Sequence, residues 1–144
     1  MRANQLQQIV DHACQMEDEA AQIFSQAQQR LLQQQQQLQQ LYNFLNEYQQ
    51  QYSALEQGMN IRRILDYQAF VSRINEGIEQ ARTLVSQCEK ECESKRQQWL
   101  KLRARSKALQ QIAEERRRSE RQAEEWREQK EMDEFAARVS RSSL

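Results

Sequence analysis

Residues 56–60 read Glu56-Gln57-Gly58-Met59-Asn60, and they separate two long polar stretches that share one apolar rhythm. Glycine tolerates the left-handed backbone that ends a helix. Asparagine two residues later is suited to cap a new helix by accepting a backbone N–H. So short a connection favours two antiparallel helices lying side by side. The chain has only two glycines, Gly58 and Gly77, and no proline. A sheet-rich fold would need many more turn residues than that.

On the C-terminal side, Ile64, Tyr67, Val71, Ile74, Ile78, Ala81, Val85, Cys88, Cys92, Lys95, Trp99, Leu102, Ser106, Leu109 and Ala113 alternate spacings of three and four. That is the pattern of a coiled-coil seam. On the N-terminal side Leu6, Ile9, Ala13, Met16, Ala20, Ile23 and Ala27 alternate likewise, followed by Leu31, Gln34, Leu38, Leu41, Leu45, Tyr48, Tyr52 and Leu55. The steps into and out of Ala27 are both four, which reads as a stutter that relaxes the supercoil. The run Gln33–Gln37 sits there, and glutamine is a good helix former. The expected fold is all-α: a long two-helix antiparallel coiled-coil hairpin with a C-terminal helical overhang. Helix one spans about 3–57, the bend 57–60, helix two 61–115 and the overhang 116–144, in a single domain.

A bend near residue 59 sets Tyr48 against Phe70, Phe44 against Ile74 and Leu41 against Gly77. It also sets the acid-free stretch Lys95–Lys107 against residues 11–23, which contain Asp11, Glu17, Asp18 and Glu19 and no base. Residues 1–60 carry two basic and six acidic side chains, and residues 61–144 carry nineteen and fifteen. Opposite charges beside a seam fix helix orientation more than they add stability. At about 1.5 Å per residue, helix one would be roughly 80 Å long. Beyond Ala113 the seam fails, and a lone charged helix there should fray.

The 144 residues include 28 glutamines and equal numbers of bases and acids, 21 each. With 38% apolar residues and a mean hydropathy of −1.05, a compact enzyme core is not expected. No stretch approaches the 18 or so apolar residues of a membrane span, so no direct membrane insertion is expected. Met1-Arg2-Ala3-Asn4-Gln5-Leu6 lacks the apolar core of a secretory signal. Three cysteines without a disulfide framework suit a reducing cytoplasm.

Catalysis finds little support. His12 is the only histidine, and no serine or cysteine sits in a nucleophile motif. Cys88 and Cys92 share one face, yet a closed zinc site needs four ligands, so they read as buried small residues. There is no glycine-rich phosphate loop. No catalytic residue, metal or cofactor is expected. The basic stretches 95–107 and Arg116–Arg118 could meet phosphates, but acids face the first and follow the second, so nucleic acid is not an expected partner.

A protein-binding surface is better supported. Phe44 and Phe70 lie one residue off their seams, which should expose both aromatics near the same level of the hairpin. Gly77 is also off-seam, at a helical position where glycine costs about 1 kcal/mol relative to alanine. The alternative is that these aromatics fold back and widen the core. Near the C-terminus Met132, Phe135, Ala136 and Val139 share a helical face, with Trp126 preceding them. That face could dock helix-in-groove on another protein, or remain disordered like many termini.

Asn46-Glu47-Tyr48, Tyr67-Gln68-Ala69-Phe70, Ile78-Glu79-Gln80 and Met132-Asp133-Glu134-Phe135 resemble the flagellar FliJ family of type III export proteins. The likeness extends over most of the chain in length, hairpin layout and spacing. It implies a cytoplasmic, non-enzymatic part of the flagellar export apparatus, peripheral to the membrane at the flagellar base. Family members form an antiparallel coiled coil similar to the central stalk of rotary ATPases. The resemblance implies that the end with paired termini enters the hexameric export ATPase and promotes its assembly and activity. It further implies binding to the large membrane subunit of the export gate and to export chaperones. The family's gate-binding surface maps onto Gln37, Leu41, Phe44, Tyr48, Phe70, Ile74, Gly77 and Ala81. Gly77 stands where the family has alanine, and Ala81 where it has histidine. From charge, Asp11, Arg103, Lys107, Arg116 and Arg117 are candidates to face the ATPase, and Met132, Phe135 and Val139 form the C-terminal docking face. The rival readings are a generic coiled-coil scaffold that self-associates through the same seam and a helical nucleic-acid binder.

Overall fold

The computed structural model describes residues 2–55, 58 and 60–143. Two helices account for nearly all of them: α1 (Ala3–Leu55) and α2 (Ile61–Ser142). The expected bend centre near residue 59, the last expected residues of helix one (56 and 57) and residue 144 lie outside the described residues. Gly58 has φ of 99°, the left-handed region that a side chain would strain. Asn60 starts α2 as expected. Its Oδ1 accepts from the Arg63 N–H at 2.9 Å, and its carbonyl accepts from the Ile64 N–H at 3.2 Å. The two helices pack against one another as an antiparallel hairpin.

The chain divides into two compact units. The first combines residues 1–18 with 101–144, and the second comprises 19–100. In the first, Leu6, Val10 and Ala113 form the core, with Cys14 and Leu109 packed against it. Ser106 is fully buried beside them. Its Oγ lies 3.4 Å from Cys14 Sγ, and the Gln110 amide donates to both, at 3.0 and 3.1 Å. A buried hydroxyl with partners is tolerated, and such a polar group pins alignment because sliding would strand it. Cys14 thus meets Ser106 and Gln110, whereas the bend expected near residue 59, which sets Tyr48 against Phe70, would by the same rule set Cys14 against residue 104.

In the second unit the buried residues are Ala27, Ile74, Ile78 and Ala81. Phe24 stacks on Trp99 with centroids 5.7 Å apart, and near the bend Tyr52 stacks on Tyr67 at 3.6 Å. The expected pair Tyr48 and Phe70 is in contact, at 4.4 Å between centroids.

All fifteen expected seam positions of α2 are buried or half-buried. In α1 the seam differs from expectation over its first four turns and more. Val10, Glu17 and Phe24 occupy it, while Ile9, Met16 and Ile23 are exposed. Seating Phe24 on Trp99 and Val10 beside Ala113 forces this phase, because an aromatic pair buries more area than an isoleucine left on the flank. Glu17 is half-buried there, a position a long charged side chain tolerates because its methylenes can be covered while its head group stays in water. With this phase the alternation of four and three runs unbroken from Leu6 to Tyr52, and the expected stutter is absent. Helix α1 passes through Gln33–Gln37 without a break, although the buried Oε1 of Gln34 has no hydrogen-bond partner.

One interhelical ion pair of the second unit joins Arg30 and Glu91 at 2.7 Å. Its sign is the reverse of the expected acidic front half against basic rear half. Both side chains are about half exposed, so the pair contributes at most about 1 kcal/mol and acts mainly on orientation.

Candidate functional site

The heptad pattern sorts the second unit into a seam and two flanks. Arg30 and Glu91 pair on one flank, and Phe44 meets Phe70 edge-on at 5.9 Å on the same flank. Positions 30, 37 and 44 are seven apart on α1, as are 70, 77, 84 and 91 on α2. Gln37, Phe44, Phe70, Gly77 and Leu84 therefore line a single side of the hairpin. Phe44 is 48% exposed and Gln37 is exposed, while Phe70 and Gly77 are half-buried.

The remaining residues of the sequence-based surface are seam residues. Leu41 and Tyr48 are half-buried, and Ile74 and Ala81 are buried. These last two lie beneath the flank and set its level from below. Sequence reading missed Leu84, 46% exposed. The step of seven from Phe70 through Gly77 is the signal that finds it.

Phe44, Phe70, Tyr48, Tyr67 and Tyr52 form a continuous ladder of ring contacts, with centroids 3.6 to 5.9 Å apart. The aromatics thus both widen the core and present an edge outward. A shallow open groove of about 630 Å³ runs along α2 past Gln68, Ser72, Asn75 and Glu79. These side chains belong to the opposite flank, and the lining shares only Tyr67 with the ladder.

An added Cβ at Gly77 would meet nothing within 4 Å. Nothing in the chain itself requires glycine there. Gly77→Ala is expected to raise stability by about 1 kcal/mol, read as a higher denaturant midpoint with unchanged slope.

The charged candidates all lie in the first unit. Gln7 donates to Asp11 at 2.9 Å and accepts from Arg117 at 2.6 Å, linking acid and base across the two helices. Arg116 pairs with Glu120 one turn on, at 3.5 Å. Lys107 is exposed and Arg103 half-buried. Met132, Phe135 and Val139 are exposed on the last turns of α2. Trp126 does not join them: Lys130 covers its ring at 5.1 Å, and six residues before Met132 is about a third of a turn off that face.

His12 is exposed, and Cys88 and Cys92 are half-buried free thiols. Among the described residues no group of His, Cys, Asp and Glu could hold a metal ion. No described helix is long and apolar enough to cross a membrane.

Comparison with curated proteins finds no match. The family model described as Flagellar FliJ protein matches residues 1–144.

Proposed function

The chain belongs to the flagellar FliJ family and is a component of flagellar type III protein export; from this premise we propose that it serves as a stalk-like adaptor without catalysis of its own. In this reading it binds the hexameric export ATPase and promotes its assembly and activity. It links that ATPase to the large membrane subunit of the export gate and to export chaperones. It acts in the cytoplasm, peripheral to the membrane at the flagellar base.

The observation that carries the reading is the flank around Phe44. An exposed aromatic edge, backed by a stacked ladder and bordered by a glycine, can seat a partner without reorganising the hairpin. Gln37, Leu41, Phe44, Tyr48, Phe70 and Gly77 then meet the gate, with Leu84 extending the surface. Ile74 and Ala81 support it from the core. Asp11, Arg103, Lys107, Arg116 and Arg117 serve the ATPase. Polar contacts of that kind hold a ring's pore without the desolvated lock that apolar burial would impose.

The test is Phe44→Ala, assayed against the purified cytoplasmic part of the gate subunit and against the ATPase. Gate affinity is expected to fall about tenfold or more, as for an aromatic hot spot. Helicity and ATPase stimulation are expected to stay at the wild-type level. Undiminished gate binding would remove this flank from the contact.

A further inference from the structure

The first unit exposes seven large apolar side chains among its described residues, and apart from Trp126 they form two patches. One is the C-terminal face of Met132, Phe135 and Val139. The other lies on the hairpin flank: Ile9 and Met16 on α1, and Ile112, 52% exposed, on α2. Gln7–Arg117 and Cys14–Gln110 contacts mark the opposite flank, so residues two positions on from each face the other way. Ile9 there borders an open groove of about 470 Å³, shared with Gln5, Gln8, His12 and Arg105.

The two patches have matching order. Along α2, Lys101, Arg105, Ala108 and Ile112 follow at steps of four, three and four, two bases before two apolar residues. Along the overhang, Glu125, Glu128, Met132 and Phe135 follow at three, four and three, two acids before two apolar residues. Lys101 and Arg105 have no ion-pair partner among the described residues, nor do Glu125 and Glu128. Residues 124–134 hold six acids and two bases.

The overhang cannot reach its own groove. α2 is one helix to Ser142, which carries Phe135 about 35 Å along the axis from Ile112. We propose that this groove, together with the α2 face beside it that carries Lys101, Arg105, Ala108 and Ile112, receives the overhang of a second copy of this chain, running in the same direction as the host's α2. Glu125 and Glu128 then meet Lys101 and Arg105, and Met132 and Phe135 settle over Ala108, Ile112 and Ile9. This makes a local three-helix layer of two acidic-to-basic contacts and a shared apolar seam. The contact is heterologous: each copy offers its overhang to one neighbour and its groove to another, so association continues past two chains. The inference rests on the fold and the charge order, independently of the export reading.

Sedimentation of the full chain over a hundredfold concentration range tests it. The weight-average mass is expected to climb from one chain, 17.3 kDa, beyond two. Phe135→Glu and Ile112→Glu each replace an exposed residue, so ellipticity stays unchanged while association weakens about tenfold or more. Mixing these two variants is the decisive arm. The first keeps an intact groove and the second an intact overhang, so the mixture should form a one-to-one pair and stop there. A wild-type chain that stays single overturns the proposal, as does one that stops at two. So does a mixture that forms no pair, or a single variant that associates like the wild type.

Discussion

Phe24→Asp is expected to cost about 4 kcal/mol of folding free energy, whereas Ile23→Asp should cost under about 1 kcal/mol. The two residues are neighbours of similar apolar character, and only their phase differs. Phe24 lies in the seam, stacked on Trp99 with centroids 5.7 Å apart. Its replacement removes the ring contact, leaves a void against the indole and brings a carboxylate into the space between the helices. Ile23 is 45% exposed, so an aspartate there keeps its hydration. For a chain of this size the Phe24 variant should melt on the order of 10 °C lower or more, and the Ile23 variant within a few degrees of wild type. Thermal scans followed at 222 nm read both. Equal losses would mean that the two phases compete in solution and that the stutter is restored.

That pair of residues also shows where the sequence is ambiguous. From Leu31 to Tyr52 the pairs Leu31-Leu32, Leu41-Tyr42 and Phe44-Leu45 stand among Leu38, Tyr48 and Tyr52, whose neighbours on both sides are polar, and these isolated residues fix the phase. Between residues 9 and 24 apolar residues come in adjacent pairs, Ile9-Val10 and Ile23-Phe24. Either member satisfies a three-four alternation, and only the partner helix decides. Trp99 and Ala113 make that decision, and they lie some 75 and 100 residues away along the chain. Helix α2 has adjacent apolar pairs too, among them Ile64-Leu65, Leu84-Val85 and Ile112-Ala113, but isolated seam residues such as Ile74, Ile78 and Cys88 between them fix one phase. The start of α2 was legible for a different reason: Gly58 acts through its own φ and Asn60 through a side-chain cap on Arg63, so no distant partner is needed.

The flank around Phe44 was legible as a pair of off-seam aromatics. The support beneath it was legible too: Ile74 and Ala81 stand four residues on from Phe70 and Gly77, a step that places them in the three-four alternation of α2, and both are buried. Cys14 was misplaced by two residues because a facing rule carries no information about the side chains it aligns. The buried hydroxyl of Ser106 supplies it: its partners in the protein are Cys14 and Gln110, and those contacts set the local register.

The ladder near the bend carries the second large effect. Tyr67→Ala is expected to destabilise the hairpin by about 3 kcal/mol, and Tyr67→Phe by no more than about 0.5 kcal/mol. The Tyr67 ring touches Tyr52 at 3.6 Å and Tyr48 at 5.3 Å, while its hydroxyl makes no hydrogen bond within the described residues. The stabilising part is therefore the ring and not the phenol. Removing it also frees Tyr48, which holds Phe70 at 4.4 Å, which in turn meets Phe44. A change three ring contacts away should then reach the exposed edge of the flank. In a double-mutant cycle for gate binding, Tyr67→Ala and Phe44→Ala are expected to be non-additive by about 0.5 kcal/mol or more. The sign follows from the ladder: once Phe44 is gone, loosening its support has less left to disturb. Strict additivity would show that Phe44 binds as an isolated side chain, and that the rings behind it serve stability alone.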